Sequence, residues 1–155
     1  MSIPAIEQAK LHAQVLVPLI KVLQAELGEE RANALVRKAL GDVYRRLGEQ
    51  WRQTKGSRHA GEGMALAFAA FAKGDALDYS VRAQSEETYE IDVTRCRYAQ
   101  FYKELGEPEL GFLLVCSSDF PFAEGFDPDL KLVRSQTIMQ GASHCDFRYK
   151  RRKDG

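Results

Sequence analysis

The fold is decided by residues 74–93, which read GDALDYSVRAQSEETYEIDV. Before this stretch, apolar residues recur at steps of three and four; within it they alternate with polar residues, at positions 77, 79 and 81 and again at 89, 91 and 93. Steps of three and four are typical of amphipathic helices, whereas alternation is typical of strands with one buried face. The sequence therefore predicts a helical part over about residues 1–75 and a hairpin directly after it.

The helical part divides into three helices. The first runs from about residue 6 to 27, and Pro18, which lacks a backbone N–H, is expected to kink or divide it. The third is the apolar run MALAFAAFAKG, which ends at Gly74. The second begins after Gly28, and its apolar residues are predicted to share one face: Ala32, Leu35, Val36, Ala39, Leu40, Val43, Leu47 and Trp51.

The remaining chain mixes helices and strands. Two helices are predicted in RCRYAQFYKELG and, after Pro108, in EPELGFLLVCSSD, and a loop follows that holds Phe120, Phe122 and Phe126. Two further strands fit LKLVRSQTIM and CDFRYK. We therefore predict an α+β fold, with N-terminal helices packed on an antiparallel sheet of about four strands and with crossing helices between two hairpins. One domain over residues 1–155 is expected, with a basic tail at 150–155.

The composition excludes some classes of protein. The 155 residues are 45% hydrophobic and 28% charged, as in ordinary globular domains, and 22 basic residues balance 22 acidic ones. No net field attracts nucleic acid or a membrane surface, so neither is an expected partner. Because Glu7 and Lys10 interrupt the N-terminal apolar residues, and because three cysteines cannot all pair, a cytoplasmic protein with free thiols is expected.

The reactive side chains gather where predicted strands and helices meet. Cys96 ends a strand, Cys116 precedes Asp119 by three residues, and Cys145 opens the last strand between His144 and Asp146. Strand alternation places Cys145 on one face and its two neighbours on the other, which argues against a ready-made triad of consecutive residues. We expect at least two of the thiols to converge with Asp119 around a cavity. A buried cysteine that only fills space is the alternative.

These residues also carry a resemblance to a known family. The segments LLVCSSD and RSQTIMQGASHCDFRY, with Cys96 upstream and the helical opening QVLVPLIKVLQAELGEERANALVRKAL, resemble the L-2-amino-thiazoline-4-carboxylic acid hydrolase family. The ending also resembles vinyl-reductase-type small-molecule-binding domains, which place helices against an antiparallel sheet.

The resemblance implies a hydrolase that acts on the carbon–nitrogen or carbon–sulfur framework of a small cyclic amidine and opens a thiazoline ring to a carbamoyl-cysteine. Such chemistry needs a nucleophile or activated water, an acid or base, and groups that pair with the substrate charges. The candidates are Cys116, Cys145, Asp119 and His144 for catalysis, with Cys96, Arg134, Thr137, Asp146 and Arg148 for substrate binding.

Other readings stay open at this point. Thiolate attack, direct attack by water and a metal-activated water are all compatible with these residues. No cofactor or metal site is expected, although a divalent metal, or a three-cysteine metal site, remains an alternative. A binding or sensor domain without turnover is the second functional class, and an interaction protein is the third. The apolar surplus at Leu47, Trp51, Phe68 and Phe71 favours a homodimer.

Overall fold

The structure is a computed structural model that describes residues 2–55 and 59–152. Two long helices, α1 (Ala5–Leu27) and α2 (Glu29–Lys55), are followed by α3 (Ala60–Phe71). A hairpin of β1 (Leu77–Gln84) and β2 (Thr88–Cys96) comes next. Three short helices then cross the molecule, and two strands close it: α4 (Arg97–Glu104), α5 (Pro108–Leu114), α6 (Asp119–Phe126), β3 (Leu130–Val133) and β4 (Cys145–Arg151).

The four strands form one antiparallel sheet in the order β1-β2-β4-β3. The α+β fold with N-terminal helices is thus confirmed, and so is the hairpin after Gly74. β2 joins the two hairpins by pairing with β4, and in this pairing Ile91 lies opposite Phe147. None of the helices in the described parts of the chain is long and apolar enough to cross a membrane.

One face of the sheet is the centre of the main core. Phe68 of α3 is buried against rings of the two central strands, and its ring lies edge-on to Phe147 with centroids 4.9 Å apart. The alternation predicted for β4 is confirmed, since Cys145, Phe147 and Tyr149 are buried in this core. A second core lies between α1, α4 and α5, where Ala13, Val17 and Ile20 meet residues such as Tyr102 and Leu113.

Three predictions about local structure are wrong. The segment around Phe120, Phe122 and Phe126 is helix α6 and not a loop, because Phe122 and Phe126 lie one turn apart and both are buried in the core. Strand β3 ends at Val133, and the chain beyond it forms a 3-10 turn at Ile138–Gln140. Helix α1 is not divided, since it continues through Pro18.

The predicted face of α2 also needs correction. The partly buried apolar residues are Val36, Leu40, Tyr44 and Trp51, whereas Leu47 is exposed, together with Leu35, Ala39 and Val43. Phe68 and Trp51 pack in or against the core, so of the surface expected for a homodimer only Leu47 is exposed. The homodimer itself stays a prediction. In the expected basic tail, Lys150 and Arg151 belong to β4, and residues 153–155 lie outside the described chain.

Helices α2 and α6 cross very closely, and glycines permit the approach. A Cβ on Gly48 of α2 would lie 2.2 Å from the carbonyl oxygen of Phe122, and a Cβ on Gly125 of α6 would lie 1.9 Å from that of Arg45. By contrast, a Cβ on Gly41, two turns earlier in α2, would meet nothing within 4 Å. Close packing thus accounts for two of these glycines but not for Gly41.

These contacts predict opposite effects of the same substitution in one helix. Gly48→Ala should lower the free energy of unfolding by about 1–3 kcal/mol or more, because backbone atoms must shift to admit the methyl group. Gly41→Ala should be neutral or raise it by up to roughly 1 kcal/mol, since alanine favours helix and finds open space. Urea denaturation measures both, and equal losses would contradict the described crossing of α2 and α6.

Candidate active site

The candidate site is built around the guanidinium of Arg134, which follows β3. Its side chain is only 3% exposed, and its Nη1 lies 2.7 Å from Oδ2 of Asp119, the first residue of α6. Both terminal nitrogens also donate to the carbonyl oxygen of Cys116 at 3.3 Å. Arg134 therefore joins the chain after β3 to the turn that leads into α6.

Aromatic rings surround the same guanidinium. The Cζ atom of Arg134 lies 5.0 Å from the ring centroid of Phe120, 5.2 Å from that of Phe147 and 5.9 Å from that of Phe112. Rings at these distances attract a cation through their negative faces. The charge is thus held by one carboxylate, one carbonyl and three rings from α5, α6 and β4.

Burial sets the ionisation of Asp119. It raises the pKa of this carboxyl to about 6, against the opposing effect of the Arg134 charge and its hydrogen bond. The side chain keeps 24% of its exposure, so the carboxylate is accessible to a small molecule or to water. A carboxyl group with a pKa close to neutrality is well suited to move a proton.

The three thiols lie around this pair. Cys96 caps α4 and its Sγ accepts from the N–H of Ala99 at 3.4 Å, while Sγ of Cys145 accepts from the N–H of Ile138 at 3.2 Å. Cys116 lies between the second core and Asp119. Each thiol is close enough to Asp119 that the carboxylate charge disfavours its ionisation.

All three thiols are held in their protonated form. Burial raises the pKa of Cys96 to about 11. It also raises the pKa of Cys116 well above the usual value and that of Cys145 above it, and the nearby Arg134 only partly opposes this. Since the thiolate is the nucleophile, this environment does not favour thiolate attack.

Four predicted site residues lie elsewhere or stabilise the local fold. The ring of His144 contacts Ser143 and Gln136, and Arg148 pairs with Asp92 at 2.8 Å, both on the face of the sheet opposite Cys145. Although burial acts to raise it, hydrogen bonds from Ser135 and Gln136 hold the pKa of Asp146 below its usual value. The buried Thr137 hydroxyl accepts from the N–H of Gln140 and donates to its side chain.

Sequence reasoning missed the residues that enclose the ion pair. They are Tyr44 of α2, Phe112 and Phe147. Burial raises the pKa of the Tyr44 hydroxyl, as does the charge of Asp119, while a hydrogen bond with Ser118 opposes this. A step of four residues from Val36 through Leu40 to Tyr44 is the signal in α2 that could have placed Tyr44 inside.

A cavity of about 220 Å³ opens on the other side of the same turn. Ser117 and Ser118 line it, together with residues of α2, α5 and α6, but none of the three cysteines and not Asp119. In residues 2–55 and 59–152 there is no group of three or more His, Cys, Asp or Glu side chains that could hold a metal ion.

Fold and site together define a class: a small α+β domain that encloses a buried ion pair and thiols between helices and one face of an antiparallel sheet. The model of the L-2-amino-thiazoline-4-carboxylic acid hydrolase family matches residues 8–149. The chain belongs to this family.

Two further comparisons describe its neighbours. Among solved structures, the chain is similar to the phenol-responsive sensory domain of the transcription activator PoxR in its crystal structure with phenol. The TM-score is 0.56 at 15% sequence identity, over 88% of this chain and 72% of that one, which shows a shared fold alone. No curated protein matches the sequence significantly.

The burial of Arg134 predicts a large effect of its removal. Arg134→Gln should lower the free energy of unfolding by roughly 3 kcal/mol or more, because Asp119 loses its countercharge and the cage loses its cation. Arg82→Gln is the matched control: Arg82 pairs with Asp92 at 3.2 Å, but its side chain is 60% exposed. The control should cost less than about 1 kcal/mol. Urea denaturation decides, and similar losses in the two variants would show that the Arg134 pair is an ordinary surface pair.

Proposed function

We propose that this protein is a hydrolase that opens the ring of a small cyclic amidine, with L-2-amino-thiazoline-4-carboxylic acid as the leading substrate. The observation that carries the proposal is the pair of Asp119 and Arg134 beside Cys116, with a carboxyl pKa of about 6 and a buried guanidinium. Membership of the family, over residues 8–149, supports the choice of substrate.

The substrate charges complement this pair. The thiazoline acid carries a carboxylate and, when protonated, an amidinium, so it presents both signs of charge on one small ring. A carboxylate suits the planar donors of Arg134, and an amidinium suits the oxygens of Asp119. In this proposal the bound substrate exchanges one internal ion pair for two pairs with the ligand.

Water is the proposed nucleophile. Asp119 in its ionised form accepts a proton from water, and the water oxygen bonds to the amidine carbon between nitrogen and sulfur. The carbon–sulfur bond then breaks, its electron pair stays on sulfur, and sulfur takes up a proton. The product is a carbamoyl group on nitrogen and a free thiol. Attack by Cys116 is the alternative route, but it must first ionise a thiol whose pKa burial has raised.

A binding or sensor domain without turnover is the second candidate. The similarity in fold to a phenol-responsive sensory domain favours it, as do three protonated thiols that act as apolar side chains. In this candidate Arg134 and Asp119 hold a ligand, and no bond is broken.

Thiol release distinguishes the two candidates, because each ring opening produces one new thiol. Wild type with the thiazoline acid should release thiol continuously, at a kcat/KM that rises with pH through about 6 as Asp119 ionises. Asp119→Asn should lower kcat/KM by roughly 10²–10⁴-fold, the usual contribution of an acid–base group. If water attacks directly, Cys116→Ser and Cys145→Ser should retain most of the activity.

Asp78→Asn serves as the matched control, since this carboxylate pairs with Arg95 at the surface. It should leave kcat/KM unchanged, and circular dichroism should show that every variant is folded. Absence of thiol release by wild type, with and without divalent metal, would favour the binding domain. Full activity in Asp119→Asn would remove Asp119 from the mechanism but keep the hydrolase.

A further inference from the structure

The cavity of about 220 Å³ lies between α2 and the chain from α5 to α6. On the α2 side it is lined by Arg37, Leu40, Gly41 and Arg45. On the other side it is lined by Leu113, Ser117, Ser118, Pro121 and Glu124. Its volume is below the ~300–1,000 Å³ typical of sites for drug-sized ligands, so it suits a smaller molecule.

Gly41 is the feature that protein packing does not explain. Glycine inside a helix costs up to about 1 kcal/mol relative to alanine. Gly48 in the same helix makes room for the backbone of α6, but a Cβ on Gly41 would meet no protein atom within 4 Å. The space beside Gly41 is the cavity itself. A missing side chain at this point lets a flat molecule lie against the helix backbone.

The charges of the lining select the sign of the ligand. Arg45 is neutralised, because its guanidinium binds Glu124 at 3.1 Å and Asp42 at 3.3 Å. Arg37 forms no ion pair or hydrogen bond with any residue in the described chain, so its charge is free to meet a ligand. One uncompensated guanidinium at the edge of a small cavity suits one carboxylate.

Apolar and hydroxyl groups complete the site. Leu40, Leu113 and Pro121 offer carbon surface to a ring, and Ser117 adds a hydroxyl group. Ser118 lines the cavity and also bonds to Tyr44 next to Asp119, so the cavity is separated from the buried ion pair by a single layer of side chains.

We propose that this cavity binds a small ring carboxylate of about the size of benzoate, with the carboxylate on Arg37 and the ring on the backbone of Gly41. The proposal goes beyond the hydrolase activity and does not rest on it. It concerns binding alone, so its failure is separate from any failure of turnover.

The test is an NMR titration of the folded protein with benzoate and with benzamide, its uncharged analogue of the same shape. Benzoate should bind saturably with a Kd of roughly 1 mM or tighter, and it should shift the amide signals of Leu40, Leu113 and Ser117. Benzamide should bind at least roughly tenfold more weakly, because a hydrogen-bonded charge pair is worth more than about 1.4 kcal/mol.

Variants of α2 make the test specific. Gly41→Leu should abolish binding because its side chain fills the cavity, whereas Gly41→Ala is the matched control that changes the helix but adds only a methyl group. Arg37→Gln should weaken benzoate binding roughly tenfold and leave benzamide unaffected. Because Arg37 is at the surface, this variant keeps the fold, and the test stands even if leucine disturbed α2.

Three results would each overturn the proposal. They are the absence of saturable binding of benzoate to wild type, equal affinity for benzamide, and an unchanged Kd in both Gly41→Leu and Arg37→Gln.

Discussion

The structure depends on one buried cation. Arg134 is almost fully removed from water, so its charge must be compensated inside the protein, and Asp119, the carbonyl of Cys116 and three aromatic rings do this. Removing a charge from water is costly unless its partners are well placed. That requirement fixes the start of α6, the turn before it and the position of β4 relative to both. Elements far apart in the chain thus meet at a single side chain.

The same burial produces the chemistry of the site. In a poorly solvated place the neutral forms of acids are favoured, so the pKa of Asp119 rises to about 6 and the thiols stay protonated. A carboxyl group poised near neutrality and opposite an arginine can bind and release a proton without help from a thiolate. The cysteines then serve mainly to keep water out. This division of roles differs from the one that the order of residues suggests, in which Cys116 is the nucleophile.

The sequence predicted what depends on local periodicity. The change of period near Gly74 gave the hairpin, and alternation in β4 placed Cys145 and Phe147 on the buried face. Helix α6 was missed because it has only eight residues and contains both Pro121 and Gly125, which usually mark turns. The cage around Arg134 could not be predicted, because its members come from α5, α6 and β4 and meet only after folding. A pattern along the chain carries no record of such distances.

The most direct test of the account is the pKa of Asp119, measured by ¹³C NMR of its carboxyl carbon in wild type and in Arg134→Gln. The account predicts a value of about 6 in wild type and a higher one in the variant, because the arginine lowers a pKa that burial has raised. The raised value also means that this group stabilises the fold most below pH 3.8 and loses that contribution as the pH rises through about 6. A value near 3.8 in both proteins would show that Asp119 is solvated and independent of Arg134, and it would contradict the account.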